Sequence, residues 1–501
     1  MIAVTGPLDS LGSFAGSSSL SRWSNRLLLI GLSLFALSVP HSIAAAHVSL
    51  NICLLAWIVR DVASRRPHFA RTAFDLPLLL FAGLTVLSAI FSEAPELSTR
   101  KLLTLLLLGV IYLVGSNLSF RGVRWVLALL VVSSLAGATF SIYEKAFGRG
   151  LVVESVAANS PLLQTDFRSG DVIWMIARTR VSSLDQIGRI VRSRPTGEKV
   201  EIEAIHEGDP LPVTLEVTEA MRLQPNPLGI TTGGSSSRFR ASGFSRHFLT
   251  FAEQMQIMAL LSFGVLLAAS RRRRVVWVTI FIVFSLALLL TASRGVTVSF
   301  LMAIVVTAVL SGRRRAFVGT LIVALVLGGV AIAVVSSSRD MDVARLLDDS
   351  SSRRLGYMKA GLRLIPVHPL LGVGMDAHKA HWREWGFPGD YVTHTHSTPI
   401  QIALDRGLPA LACLVWLFVG MFRWIWRRAL ESRQESDIGA RTRAGLALGT
   451  LGALAGFSAS ALVNYNFGDS EVLLLLLGLV GLVVAAFPKD TKSNRVPREA
   501  S

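Results

Sequence analysis

The sequence predicts an all-α polytopic membrane protein of about twelve transmembrane helices, with one small soluble α+β domain inserted between them. Three observations carry that expectation. The 501 residues are 51% hydrophobic and only 17% charged, more apolar matter than a water-soluble core of this length uses. Apolar runs recur along most of the chain, and each can satisfy its own backbone hydrogen bonds as a helix in lipid. One interval, 151–220, abandons that pattern for short alternating apolar and polar runs separated by turn residues.

Runs at 27–45, 47–59, 74–91, 102–118 and 123–143 supply the first five helices, within 1–146. The first two share little sequence around Pro40, so a re-entrant pair is an alternative there. The inserted domain occupies 147–222, and 223–246, rich in Pro, Gly and Ser, reads as a flexible return linker. Runs at 248–270, 275–291, 296–310 and 317–335 give helices six to nine, within 247–335. A polar loop at 336–399 follows, then helices ten to twelve within 400–488 and a tail at 489–501. No small-residue cleavage site follows the first run, which is therefore expected to remain as an anchor. Cys53 and Cys413 both fall inside expected spans without metal-type spacing, so disulfides have no part in this fold.

The formal charge of +17 is placed as a topology signal rather than a nucleic-acid surface. Basic clusters at 22–26, 60–71, 121–124, 271–274, 313–315, 423–443 and 489–498 are separated by an even number of runs each time. By the positive-inside rule all face the cytoplasm, with both termini, in a bacterial inner membrane. The inserted domain and the 336–399 loop then share the periplasmic face.

Within the insert, Val156-Ala-Ala-Asn-Ser-Pro161, Arg168-Ser-Gly-Asp-Val-Ile173, Val181-Ser-Ser-Leu-Asp185 and Pro195-Thr-Gly-Glu-Lys-Val200 resemble a bacterial PDZ domain. Leu184, Ile187 and Val191 fall at helical spacing between the strands. The resemblance implies capture of an extended peptide along a sheet edge, its terminal carboxylate held by a Gly-containing loop. Gly148, Arg149, Gly150 and Leu151 are the best match for that loop, and a domain that only packs or dimerises is the alternative.

The 336–399 loop is the richest in reactive side chains, among them Arg339, Arg345, Asp390, His368, His378 and His381. Ser351-Ser-Arg-Arg-Leu-Gly-Tyr-Met-Lys-Ala360, His368-Pro-Leu-Leu-Gly-Val-Gly374, His394-Thr-His-Ser-Thr-Pro-Ile-Gln401 and Gly407-Leu-Pro-Ala-Leu411 occur in that order. With Ser293-Arg294-Gly295 they resemble the O-antigen ligase and polymerase superfamily. The resemblance implies transfer of a glycan from a polyprenyl diphosphate carrier to lipid A core, a growing polysaccharide or a protein hydroxyl, without cofactor or metal.

Such a reaction sets the side chains it needs. Charge grows on the diphosphate as the glycosidic bond breaks, so permanent cations must hold it, and Arg does this with a bidentate fork. Arg294 lies between two apolar runs, where a charge is costly. Arg354 fits the resemblance best among the loop arginines, with Arg353 as the fallback. The acceptor hydroxyl needs a base near neutrality, which imidazole supplies. His396 occupies that position and His394 is the candidate for supporting it. Pro369 to Gly374 reads as a turn beside the site whose backbone amides can touch phosphate.

Other readings have less in their favour. The His-x-x-His and His-x-His spacings at 378–381 and 394–396 would suit zinc. A membrane protease lacks its His-Glu-x-x-His or Gly-x-Ser-x-Gly signature. A PDZ-containing transporter or scaffold for envelope polysaccharide export is the main alternative, although no internal repeat is evident.

Overall fold

The computed structural model describes residues 19–65, 69–206, 209–235, 239–245, 247–337, 349–389, 393–432 and 437–487. Arg339, Arg345, Asp390, Arg246 and the 489–501 tail lie outside the described residues. Every apolar run falls on a helix. The first five are α1 (Ser19–Ser38), α2 (Ile43–Ser64), α3 (Asp75–Ile90), a broken helix and α6 (Phe120–Phe147). The broken one joins α4 (Pro95–Lys101), a 3-10 stretch (Leu102–Gly109) and α5 (Val110–Asn117). Pro40 lies in the tight turn between α1 and α2, and Ser42 caps α2 by accepting from Ala45 N.

The insert holds β1 (Leu151–Val156), β2 (Val172–Ile176), β3 (Thr179–Arg180), α7 (Leu184–Arg192), β4 (Lys199–His206), β5 (Asp209–Glu216), α8 (Glu219–Leu223) and β6 (Ile230–Ser235). The membrane helices resume as α9 (Phe248–Ala268), α10 (Arg271–Leu289), α11 (Arg294–Leu310) and α12 (Arg314–Ser337). After α13 (Asp349–Leu364) and the single turn α14 (Ala377–Ala380) come α15 (Thr398–Glu431), α16 (Ile438–Ser460) and α17 (Ser470–Ala486).

Among the described residues, five helices are long and apolar enough to cross a bilayer: Ile43–Ser64, Pro95–Asn117, Phe120–Phe147, Phe248–Ala268 and Thr398–Glu431. Shorter apolar helices accompany them, Asp75–Ile90, Arg294–Leu310 and Ser470–Ala486 included. The chain is a multi-pass membrane protein. Its centre is α9, buried on almost every side. It meets α16 through small residues: a Cβ on Gly264 would lie 2.0 Å from Gly449 N, and one on Gly445 2.8 Å from Val265 Cα. Lipid supplies no hydrophobic drive between helices, so this close backbone approach is what holds the pair.

The inserted domain is one antiparallel sheet in the order β5-β4-β2-β1-β6, with β3 on β2 and α7 packed over it. Strand β4 alternates as a half-buried strand should, with Val200, Ile202 and Ala204 inward. The 223–246 segment departs from its reading as a flexible linker, because it contributes β6. Leu151 pairs with Ser235, Val152 with Gly234, Val153 with Gly233 and Val156 with Ile230. Leu228 and Ile230 are buried beside Ile187 and Val191 of α7. Burial of those two side chains and the open edge of β1 outweigh the turn-forming composition.

Candidate active site

The polar 336–399 interval folds into α13, α14 and a locked turn, all gathered on the head of α15. That helix breaks at Gly407, whose φ of 82° is a backbone conformation few other residues adopt. A break frees carbonyls that normally accept from the next turn. Leu404 O accepts from Val373 N at 2.8 Å, Asp405 O from Gly374 N at 2.9 Å, and Leu408 N donates to Pro369 O at 2.8 Å. Ser88 Oγ adds a bond to Asp405 O at 2.7 Å. The Pro-Leu-Leu-Gly-Val-Gly turn and Gly407 thus form one lock, and a Cβ at Gly407 would strike Leu370 O. The expectation that this turn offers amides to phosphate is corrected for Val373 and Gly374, since both serve the broken helix.

Beneath the lock a buried polar chain fixes the histidine segment. Gln401 Oε1 accepts from Thr395 N at 2.8 Å, while Gln401 Nε2 donates to Asp405 Oδ1 at 2.8 Å. His378, fully buried, reaches Thr393 O with Nε2 at 3.0 Å and lies 3.5 Å from Asp405 Oδ1 through Nδ1. Thr398 bonds Asn464 O and Asn466 Oδ1, tying the start of α15 to the 461–469 loop.

His394 and His396 sit on this support with ring centroids 4.4 Å apart. His396 has φ 53° and its ring stacks on Tyr357 of α13. His394 Nδ1 accepts from His396 N at 3.2 Å, which leaves its proton on Nε2 and makes that nitrogen a donor. Burial holds the His394 imidazole down at about 3, with His396, Lys379 and Arg354 adding to the effect. Burial, then the Arg354 guanidinium, pushes His396 down to about 4. Both rings are neutral at pH 7.

The sequence-expected cations divide. Arg354, half-buried on α13, is near enough to act on both imidazoles. Its neighbour Arg353 is exposed. Arg294 starts α11, half-buried, and Gly295 beside it packs on Val463 and Asn464, the corner that anchors α15. His381 pairs with Glu384 at 2.7 Å on the surface. Among the described residues no three His, Cys, Asp or Glu side chains converge as a metal site.

A cavity of about 560 Å³ opens next to this cluster, lined by His394, Tyr465, Lys101, Lys379, Asp376, Arg406, Glu253 and parts of α4, α9 and the 464–471 loop. Lys101 Nζ and Lys379 Nζ both bond Asp376, at 3.1 and 3.0 Å. Burial pushes the Asp376 carboxyl up, but the two ammonium groups outweigh it and hold it below the usual carboxylate range. Burial pushes the Tyr465 phenol up to about 12, so it stays a proton donor. Lys101, Lys379, Arg406 and Glu253 were not singled out in the sequence. The available signal was a charged pair, Asp405-Arg406, inside an otherwise apolar run.

In the insert, the loop matched to carboxylate capture is closed in on itself. Arg149 lies 3.8 Å over the Trp174 ring, Nη1 donates to Ser242 Oγ at 2.8 Å, and Nε is 3.8 Å from Glu144. Arg180 joins the same Glu144 at 2.8 Å. A peptide with its carboxylate at Gly148 to Leu151 would run antiparallel along β1. That edge is taken by β6, running in the same direction.

A multi-pass helical membrane protein with a sheet domain strapped to one end, and a neutral histidine pair over a cation-bearing cavity, is the class that these features define. Family comparison agrees: residues 279–415 match the O-antigen ligase model and residues 131–217 match the PDZ domain model. Those two stretches are thus similar to O-antigen ligases and to PDZ domains, and the first likeness points to a membrane enzyme of the glycosyl-transferring kind. The PDZ match begins within α6 and ends before β6, which is therefore an addition to the matched domain. No curated protein matches the chain.

Proposed function

We propose that this chain, with about twelve crossings of the bacterial inner membrane and both termini in the cytoplasm, transfers a glycan from a polyprenyl diphosphate carrier to an acceptor hydroxyl on the periplasmic face. The acceptor is lipid A core, a growing polysaccharide or a protein. The observation that carries the reading is the neutral His396 ring beside Arg354, next to a cavity large enough for a diphosphate and a sugar.

His396 accepts the acceptor's proton as the hydroxyl attacks the anomeric carbon. A general base has to be unprotonated and within reach of the proton that it takes. His394, whose Nε2 carries a proton, orients the His396 backbone and can donate to an oxygen in the cavity. Arg354 and Arg294 hold the diphosphate, and Arg353 stands behind them. As the carrier leaves, negative charge grows on the diphosphate, and fixed guanidinium groups stabilise it more in the transition state than in the ground state.

When the diphosphate neutralises Arg354, one of the influences that lower the His396 pKa is offset, so donor binding makes the base stronger. Lipid-linked donor in the site therefore prepares the group that activates the acceptor. The test is transfer from a polyprenyl diphosphate glycan by the purified protein in nanodiscs with a chelator present. Formation of glycosylated acceptor with release of polyprenyl diphosphate supports the reading. Absence of transfer to lipid A core, polysaccharide and protein acceptors alike would overturn it.

A further inference from the structure

We propose that Arg406 is the anion-binding group of the cavity and takes a phosphate of a diphosphate ester. The choice of ligand rests on the glycan-transfer reading above; the unpartnered guanidinium nitrogens do not.

Arg406 is 4% exposed and lines the cavity. Its Nη2 bonds Met375 Sδ at 3.1 Å and the Tyr465 phenol also interacts with the guanidinium, but a thioether and a neutral phenol are weak partners for a cation. Nε and Nη1 have no hydrogen-bond partner among the described residues. The Phe81 and Phe467 rings, 5.5 and 6.0 Å from the guanidinium carbon, suit a cation but accept no N–H in its plane. Four carboxyl groups of the cavity have other partners. Asp405 serves Gln401 and His378, Asp376 serves both lysines, Asp469 accepts from Thr250, and Glu253 accepts from Ser460 through Oε1, while its Oε2 has no hydrogen-bond partner among the described residues.

A buried guanidinium without an anion is strongly unfavourable, and such a group persists where a ligand completes it. Nη1 lies at the end of the planar guanidinium beside Nη2, and Nε lies on its other edge, so phosphate oxygens can reach this rigid group from either edge. Arg406 is also held still. It is the last residue before the Gly407 break, and the lock that caps Leu404 and Asp405 fixes its backbone. Lys101 and Lys379 share a single carboxylate on Asp376, so this wall has positive charge to spare for a second phosphate.

The experiment measures binding of farnesyl diphosphate and inorganic pyrophosphate to the full-length protein in nanodiscs by calorimetry, with thermal unfolding in parallel. Arg406→Met is expected to weaken farnesyl diphosphate roughly ten- to hundredfold, the loss of a charge-assisted bond pair, and Arg406→Lys to recover part of it. The unliganded Arg406→Met protein should unfold no earlier than wild type, because an unpaired buried charge has gone; a residue that merely supports the fold would behave the opposite way. Met375→Glu keeps Arg406 and gives it an internal partner, so it should also weaken binding without loss of stability. Equal binding in wild type and both variants, or no binding by wild type, overturns the proposal. Competition by pyrophosphate assigns the site to the diphosphate alone, and binding of the farnesyl ester only assigns it to the lipid-linked form; either supports it. Arg406-dependent binding in a protein that transfers no glycan would remove the transfer reading and leave this subsite. Transfer with unaltered binding in the Arg406 variant would do the reverse.

Discussion

Arg149 at the edge of the inserted domain and Arg406 at the head of α15 are buried to nearly the same depth, 7% and 4% exposed, and each lies over two aromatic rings. What differs is the supply of acceptors. Arg149 has Ser242 Oγ and the Glu144 carboxylate, and Glu144 is shared with Arg180. Burial lowers Arg149 to about 10, still charged at neutral pH. Arg406 has the Met375 thioether and the Tyr465 phenol, both neutral. The same side chain at the same depth is a fastener in one region and an open position in the other, and only the partners tell them apart.

The largest effect that sharpens this comparison is catalytic. His396→Ala is expected to lower glycan transfer by about a hundredfold or more, the usual loss of a positioned general base. Arg149→Met should change turnover little. Steady-state rates at saturating donor check both, and near-wild-type turnover by His396→Ala would remove the proposed base.

Stability should separate the two regions the other way. Arg149→Met leaves Glu144 with less compensation and Ser242 without its donor, so the inserted domain should lose about 1–3 kcal/mol. Urea unfolding followed by hydrogen exchange of β1 and β2 amides measures it, and unchanged protection would mean that Arg149 fastens nothing.

The strap β6 allows a third test. A Cβ on Gly233 would lie 2.4 Å from Val152 O, so Gly233→Val should displace β6 and open the β1 edge. Labelled peptides with free C-termini should bind this variant more tightly than wild type, by roughly tenfold or more in fluorescence polarisation, since they no longer compete with a tethered segment. For the same reason an isolated 147–222 fragment, lacking β6, should self-associate in sedimentation, whereas 147–245 should be monomeric. Equal peptide affinity with and without the strap would show that the edge is open in the native protein.

The smallest expected effect is in pH dependence. As the proposed base His396 would act in its neutral form, so kcat/KM should fall as pH drops through its pKa of about 4. Arg354 disfavours the imidazolium; Arg354→Gln removes that charge and the pKa moves up, although burial still holds it below the ordinary value. The acid limb of the profile should therefore shift to higher pH, and an unmoved limb would separate Arg354 from His396.

Much of this could be read from the chain because the signals were local. Apolar runs mark helices wherever lipid is the solvent, and the His394 to Ser397 segment, the Pro-Leu-Leu-Gly turn and Gly407 are short strings that fold against one another. Arg406 stayed hidden because one charged pair within the 400–422 run barely alters its hydropathy. Its importance comes from its neighbours in space, which give it a thioether and a phenol but no carboxylate among the described residues. β6 stayed hidden because Ile230-Thr-Thr is a weak strand on its own, and an edge 74 residues away in the numbering, at Val156, decides the pairing. The amides of Val373 and Gly374 were misassigned for a related reason: that α15 breaks at Gly407, and so needs donors, is a property of the tertiary structure.

The break in α15 also bears on how deep these groups would lie in a bilayer. A helix of 34 residues is about 51 Å long at 1.5 Å per residue, well beyond the roughly 30 Å of hydrocarbon in a bilayer. Counted from Arg423, where the basic cluster begins, Arg406 lies 17 residues or about 26 Å up the helix, close to the outer edge of that hydrocarbon. On the proposed topology the head, with Gln401, Asp405 and Arg406, would then lie near the level of the lipid headgroups. A polyprenyl carrier dissolved in the leaflet would present its diphosphate at that same height, so it could reach the guanidinium by sliding sideways without leaving the membrane.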